Sequence, residues 1–192
     1  MASILKVDKI VDSGSNVLAT SSGSGHTLAT ATFPAGCVIQ VVQATNSTSD
    51  TNTSASIVDW FSQSITLSNS SNKILINATV SLQHDHNYTG YWGIKRGSTV
   101  IWPDVDNTGG QAVTVRGISI RISGDTNGDQ YETPLHHVTF LDSPATTGSV
   151  TYYIFHAQRG GTIYRNQSKA GTGDGDNASR STSILLLQEI AG

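Results

Sequence analysis

The sequence predicts an all-β fold, an antiparallel jelly-roll-like β sandwich with an extended N-terminal arm. Charged residues make up 13% of the 192-residue chain, about half the usual quarter, and 19 residues are glycine. Short runs of β-branched and aromatic residues recur between clusters of Gly, Ser, Thr and Asn, and no run has the period of a helix. Regularly spaced short strands joined by polar turns are typical of sandwiches and jelly rolls.

Residues 1–34 are interpreted as an attachment arm. The stretch ILKVDKIV (4–11) is long enough for one strand, and the Gly/Ser/Thr/Ala-rich stretch after it has no sustained period. Such a stretch cannot bury enough apolar surface to fold alone. The alternative is a disordered tail, but we favour an arm that becomes ordered on a partner. Its apolar side chains would bind that partner, and they are Ile4, Leu5, Val7, Ile10, Val11, Val17 and Leu18.

The body of the protein is predicted to span residues 35–192. Its first half contains three predicted strands and a hairpin. CVIQVVQ (37–43) is followed by a polar loop at 45–56 and then by IVDWFSQSITL (57–67). KILINATVSL (73–82) alternates with period two, so its even-numbered residues from Ile74 to Leu82 are predicted to face the core. YWGIKRG and STVIW are predicted to form a hairpin around Gly97 and Ser98.

The second half continues in the same manner. QAVTVRGISIRI (111–122) is long and β-branched, and HHVTFLD and VTYYIFHAQ form a further pair of predicted strands. RGGTIYRN carries a short strand after two glycines, and STSILLLQEI is predicted to close the chain as a buried strand. These runs predict one domain with eight to ten strands and no helix.

The densest chemistry lies in SLQHDHNYTGYWGIKRG (81–97). Continuing the alternation of the preceding strand places His84 and His86 on its core-facing side, with Asp85 pointing outward. Two histidines at i and i+2 can share a metal ion, but such a site needs a third and usually a fourth ligand, which the fold would have to bring from elsewhere. The alternatives are a rim or subunit contact, which we favour, and a simple surface position.

The other candidate sites have simpler explanations. His136 and His137 are adjacent in a predicted strand, so their side chains face opposite ways. GDGDN (173–177) lacks the spacing of a calcium loop, and Cys37 is expected to be a small buried hydrophobe. The aromatic residues around 60, 88–102 and 164 are expected to pack in the sandwich, although a carbohydrate or protein surface is an alternative.

No catalytic function is predicted. The sequence has no G-x-S-x-G elbow, phosphate-binding loop or dinucleotide fingerprint. Its carboxylates are sparse and lie in predicted turns, so no acid–base pair can be assigned. We therefore expect a protein that is not an enzyme and that has no cofactor and no metal.

Charge and hydropathy argue against two classes of partner. The net charge of −3 gives no electrostatic footprint for nucleic acid. No apolar run approaches the roughly 20 residues of a membrane span, and the first twenty residues show no secretory signal. The single cysteine allows no intrachain disulfide.

Both ends of the chain resemble virion structural proteins of tailed phages from marine and freshwater hosts. SILKVDKIVDSGSNVLAT is similar to their opening, in which an LKVDxI phrase precedes SGxNxL, and STSILLLQEIAG after GTIYRNQS is similar to their TSxLxLxEI ending. FPAGCVIQVVQ, SNKILINATVSL and the LDSP…GSVTYYIF pair extend the resemblance over most of the chain. The match departs conservatively at KIVDSGSNV, and HDH belongs to no motif of that family that we can place.

The resemblance implies a homotrimeric jelly roll of the TNF/C1q kind behind an attachment segment, located in the virion and assembled in the host cytoplasm. It favours a capsid decoration protein whose arm binds the major capsid protein. The alternative is a short tail fibre that docks to a tail or baseplate protein and binds host glycans. Low charge, aromatic residues and two same-face histidines at a strand end suit a trimer contact, predicted at His84, His86, Tyr88, Tyr91 and Trp92.

Overall fold

The computed structural model describes residues 8–11, 13–15, 17–21, 26–28, 33–84, 90–103, 118–120, 131–158, 160–172 and 179–192. Within these residues the chain is built of antiparallel strands in two body sheets and a further three-stranded sheet. Besides strands, the described residues include a short 3-10 helix, Lys169–Thr172. The predicted all-β, jelly-roll-like fold is confirmed.

The N-terminal segment forms the three-stranded sheet. Its strands are β1 (Lys9–Val11), β2 (Val17–Ser21) and β3 (His26–Leu28), paired in the order β1-β2-β3. Ser15 adopts a positive φ of 66° between the first two strands, a conformation that suits a tight turn. Over the described residues the segment is built of three short antiparallel strands, and its role as an attachment arm stays a prediction.

The strands of the body follow in chain order. They are β4 (Val38–Asn46), β5 (Asp50–Asn52), β6 (Val58–Thr66), β7 (Lys73–His84), β8 (Gly90–Arg96), β9 (Thr99–Trp102), β10 (Ile118–Ile120), β11 (Leu135–Asp142), β12 (Ser149–Gln158), β13 (Ile163–Arg165) and β14 (Ser183–Ile190).

From β5 to β8, and again from β10 to β13, consecutive strands of the body alternate between its two sheets. The first sheet has the order β4-β14-β7-β13-β5, and β11 pairs with β7. The second sheet has the order β10-β8-β12-β6, and β9 also pairs with β8. Because β6, β8 and β12 lie in one sheet while β7, β11 and β14 lie in the other, the connections interleave in the manner of a jelly roll.

One core fills the space between the two sheets. Ile74, Ile76, Ala78, Val80 and Leu82 of β7 are all fully buried, so the predicted period-two alternation is confirmed. They form a single cluster with residues of the second sheet that include Trp92, Ile94, Tyr152 and Ile154. The core therefore depends on strands that lie far apart in the sequence.

The predicted hairpin, polar loop and long strand can each be compared with the structure. The hairpin of β8 and β9 forms as predicted, and Gly97 at its turn has a φ of +57°. The predicted polar loop at 45–56 contains β5, which pairs with β13. Of the long strand predicted at 111–122, Ile118–Ile120 is described as β10, and the remainder lies outside the described residues.

The closing strand β14 is buried on one side only. Its residues alternate between buried and half-buried, whereas the sequence predicted a strand buried throughout. The difference arises because β14 lies between β4 and β7 with its second face turned away from the core.

Candidate functional site

Two residues of the predicted trimer contact lie inside the protomer. His84 and Trp92 are both 0% exposed, and the imidazole Nε2 of His84 lies 3.1 Å from Oε1 of Gln158. These side chains therefore offer no surface to a neighbouring subunit. The parity argument placed His84 on the core-facing side correctly, but the strand stays in the core to its end.

The rest of the predicted contact set is described in part. Tyr91 is half-buried on β8. His86 and Tyr88 lie outside the described residues, as does the GDGDN stretch. The trimer contact itself stays a prediction.

His136 and His137 point to opposite sides of β11. His136 lies 2.9 Å from the Leu82 carbonyl oxygen through Nε2, while His137 lies 3.0 Å from the Thr79 hydroxyl on the other side of the sheet. Their opposite orientation follows from the pleat. Among the described residues, no group of three or more His, Cys, Asp or Glu side chains could hold a metal ion.

Arg165 links several polar and aromatic groups at the β13 end of the sandwich. Its guanidinium forms a two-pronged ion pair with the carboxylate of Asp50 and lies 5.8 Å from the ring centroid of Trp60. Trp60 is the extra residue of a β-bulge, because Asp59 and Phe61 pair with consecutive residues of β12. The carboxylate neutralises the guanidinium, so this arrangement suits cross-linking of strands better than anion binding.

His156 lies behind this ion pair. Its side chain is fully buried, and its Nε2 is 3.4 Å from Nη1 of Arg165. Burial first, and then the positive charge of Arg165, lower the pKa of His156 to about 4. The ring is therefore neutral at pH 7, and His156 is not poised to accept a proton as a general base near neutrality.

The motif YRNQS (164–168) is a structural clasp. The amide nitrogen of Asn166 donates to the carbonyl oxygens of Asn46 and Thr48 at 2.9 and 3.1 Å, and its Oδ1 accepts from the Ser183 hydroxyl at 2.7 Å. Gln167 donates to the carbonyl oxygen of Asp50 at 2.9 Å. These bonds tie β13 to the β4–β5 connection and to β14, which is why this stretch is rich in amides.

One face of the first sheet carries very little charge, and we call it the outer face. It is the side of β4, β14, β7 and β11 that points away from the core, as the pairing registers and alternating burial show. Its members include Leu135, Val41 and Leu141, which are 60%, 52% and 49% exposed. Among the described residues its one charged position is Lys73, which is exposed at the edge of the face and pairs with Ile190. The positions towards its centre carry no charge; they are Val41, Gln43, Thr45, Leu75, Asn77, Thr79, Leu135, His137, Thr139, Leu141, Ile184, Leu186 and Gln188.

The polar side chains of the outer face hydrogen-bond to one another. His137 contacts Thr79 at 3.0 Å and Thr139 at 3.1 Å. Thr139 donates to Oδ1 of Asn77 at 2.7 Å, and the Asn77 amide donates to Gln188 at 3.4 Å. This chain of bonds crosses three strands, and apolar side chains flank it on both sides. Much of the polar capacity of the outer face is thus satisfied without water.

The outward side of the second sheet has a different character. Lys95 of β8 forms an ion pair with Asp59 of β6 at 2.6 Å, and its ammonium lies 5.5 Å from the ring centroid of Tyr153. Exposed serines, Ser62 and Ser64, lie nearby on β6. This side has the charged and polar composition of a surface that faces water.

Exposed apolar residues also mark the N-terminal sheet. Ile10, Val11 and Val17 are 52%, 44% and 37% exposed. Leu18 lies in β2, and the other predicted partner-binding residues, Ile4, Leu5 and Val7, lie outside the described residues.

Sequence reasoning missed the outer face. The signal was present in STSILLLQEI, where both alternating sets of residues include large apolar side chains. A strand of this kind is usually buried on both faces. The sequence analysis assumed that both faces are buried within the domain, and it did not consider that one of them is exposed on its surface.

No protein-family model matches the chain, and a comparison with curated proteins found no significant match. Within the described part of the chain, no helix has the length and hydropathy required to cross a membrane. The assignment of function therefore rests on the chemistry of the surfaces described above.

Proposed function

We propose that this chain is a structural component of a tailed-phage virion, a capsid decoration protein that associates into a homotrimer through the outer face and attaches to the major capsid protein through its N-terminal segment. The observation that carries the proposal is the outer face, whose centre carries no charge and whose polar side chains are paired with one another. It supports a role in assembly, and the resemblance of the two chain ends to phage virion proteins supports a place in a virion.

The composition of the outer face favours burial against another protein. An antiparallel sheet that faces water usually alternates apolar and polar residues, and interface cores are depleted in charged residues. Burying a polar group costs free energy unless it is hydrogen-bonded. Because His137, Thr139 and Asn77 already bond to neighbours, covering this face costs less than covering a face of free amides and hydroxyls.

A second copy of the chain is the occupant that this face fits best. The centre of the outer face has no charge that would demand a complementary charge on a different partner, and its apolar rows on β4, β14 and β11 can pack against the same rows of a copy. The number three comes from the resemblance.

The N-terminal segment provides the second contact. Ordering a chain costs roughly 1–2 kcal/mol of backbone entropy per residue, so attachment requires burial of side chains such as Ile10 and Val11. Burial contributes about 25 cal/mol per Å² of apolar surface. Strand addition to a sheet edge on the capsid would supply hydrogen bonds in addition.

Sedimentation of the full chain tests the self-association. We expect a trimer for the wild type at micromolar concentration and a monomer for Leu186→Lys, which places a charge in the centre of the outer face. Ser62→Lys, on the outward side of the second sheet, is the matched control and should remain a trimer. A monomeric wild type would refute association.

Binding to capsids that lack the protein tests the attachment. The double variant Ile10→Asp, Val11→Asp should remain a trimer but lose binding, while Thr20→Asp on the neighbouring strand should keep it. Unchanged binding of the double variant would refute attachment through these side chains.

Copy number in purified virions distinguishes the capsid from the tail. Hundreds of copies per particle, measured by quantitative mass spectrometry, are expected of a decoration protein. A few tens or fewer would favour a tail fibre, with attachment to a tail or baseplate protein and glycan binding by the jelly roll.

A further inference from the structure

Two buried N–H groups on neighbouring strands have no acceptor. Trp92 on β8 lies directly opposite His156 on β12, and both side chains are fully buried. Within the described part of the chain, neither the indole Nε1 of Trp92 nor the imidazole Nδ1 of His156 has a hydrogen-bond partner. Buried polar atoms nearly always have a partner, which is protein or ordered water.

The contact between His156 and Arg165 determines which nitrogen of the imidazole carries the proton. Nε2 lies 3.4 Å from Nη1 of Arg165, and a guanidinium can only donate. Nε2 must therefore be the acceptor, which puts the proton of the neutral ring on Nδ1. The unpartnered atoms of Trp92 and His156 are consequently both donors, so they cannot satisfy one another.

The polar groups around this pair are engaged elsewhere. Gln158, two residues further along the same side of β12, contacts His84 through Oε1 at 3.1 Å. Its amide nitrogen donates to the carbonyl oxygens of Asn52 and Gly161 at 3.3 and 3.1 Å. The carboxylate of Asp50 is bound by Arg165. These neighbouring polar groups therefore leave the two donors without an acceptor.

The geometry points to a buried binding site for one small hydrogen-bond acceptor, a water molecule or a halide ion, between Nε1 of Trp92 and Nδ1 of His156. Directly opposed residues of antiparallel strands have Cβ atoms about 4.5–5.5 Å apart, so the two side chains are neighbours on the core side of the sheet, and one acceptor between the rings would bond to both donors. A halide fits a site that offers only donors, and a water molecule would use both of its lone pairs there. The site is independent of the proposed function.

Crystallography with bromide is the direct test. Crystals of the full chain grown in sodium bromide should show a peak between the two rings. An anomalous signal at that peak identifies a halide, and density without it identifies water. A map that shows other ordered waters but no density between the rings overturns the proposal.

Measurements in solution give a second test. The ¹⁵N shifts of His156 should report the Nδ1–H tautomer, and the opposite tautomer would overturn the donor argument. If the ligand is a halide, the wild type should melt at a higher temperature in bromide than in gluconate at equal ionic strength. Trp92→Phe should lose that difference, and the control Tyr153→Phe, on the outward side of the second sheet, should keep it; equal differences in both variants would exclude a halide held by Trp92. Should Trp92→Phe not fold, the wild-type map and shifts decide alone.

Discussion

Replacing Glu189 should weaken the fold, because its carboxylate connects three segments. Glu189 is fully buried and accepts hydrogen bonds from Gln40 at 2.5 Å, from Asn72 at 2.6 Å, and from the amide and hydroxyl of Ser68 at 2.7 and 2.8 Å. A hydrogen bond to a charged group is worth about 1.5–3 kcal/mol, against about 0.5–1.5 kcal/mol for a neutral one.

The two most informative substitutions differ in what they remove. Glu189→Gln keeps the shape, but the amide nitrogen that replaces one oxygen cannot accept a hydrogen bond, so the bond from Gln40 is lost and the three bonds to the other oxygen are weakened. The substitution also removes the cost of burying a charge, so we expect a loss of about 1–3 kcal/mol. Glu189→Ala leaves the amide and hydroxyl of Ser68 without this acceptor and leaves Asn72 with its 3.2 Å bond to the Ser68 hydroxyl, and we expect a loss of about 3–5 kcal/mol.

The same site predicts a pH dependence. Burial alone would raise the pKa of Glu189, but the hydrogen bonds from Asn72, Gln40 and Ser68 outweigh it and hold the pKa below its usual value. The stability that the carboxylate contributes is therefore complete above the unfolded pKa of about 4.3 and is lost as the pH falls through the lower folded pKa.

Urea unfolding at pH 7 and pH 3 measures both effects. The difference between the wild type and Glu189→Gln should shrink at the lower pH, and the exposed Glu132→Gln should change little at either. A Glu189→Gln protein as stable as the wild type at pH 7 would show that the carboxylate does not hold these three segments together.

Two further outcomes are expected. Burial and the neighbouring guanidinium lower the pKa of His156 to about 4, so the stability due to its neutral ring is full above about pH 6.5 and falls towards pH 4; an NMR titration midpoint above pH 6 would contradict this. Gly93→Ala would place a Cβ 2.7 Å from the ring of Phe155 and should cost about 1–3 kcal/mol in urea unfolding, whereas Gly148→Ala, with its nearest atom at 3.4 Å, should cost much less.

In the proposed assembly, the outer face of the first sheet is buried against other subunits, and the outward side of the second sheet faces water. The second sheet carries the Lys95–Asp59 pair on its outward side, whereas the one charge described on the outer face of the first sheet is Lys73, at its edge. A charge pair at the surface contributes little to stability, but it makes a face costly to bury. This contrast is why a lysine at position 186 and a lysine at position 62 should have opposite consequences.

The candidate surfaces differ in how much the sequence revealed of them. The apolar residues of the N-terminal segment were visible at once, because Ile10, Val11 and Val17 lie among Gly and Ser. His84 was placed on the correct side of its strand, but its complete burial was not foreseen. The partner of its imidazole, Gln158, is 74 residues away, and no local pattern identifies such a contact.

The sequence by itself determined most strands of the body and, for β7, the side that faces the core, because the alternation of side chains in a strand is a local property with a period of two. Apart from the hairpin of β8 and β9, tertiary structure decided which strands are neighbours. Ile184 pairs with Thr79 on one side and with Thr45 on the other, so residues from distant parts of the chain share one face. Strand pairing joins segments more than a hundred residues apart, and its outcome depends on the packing of the whole core rather than on any one run of residues.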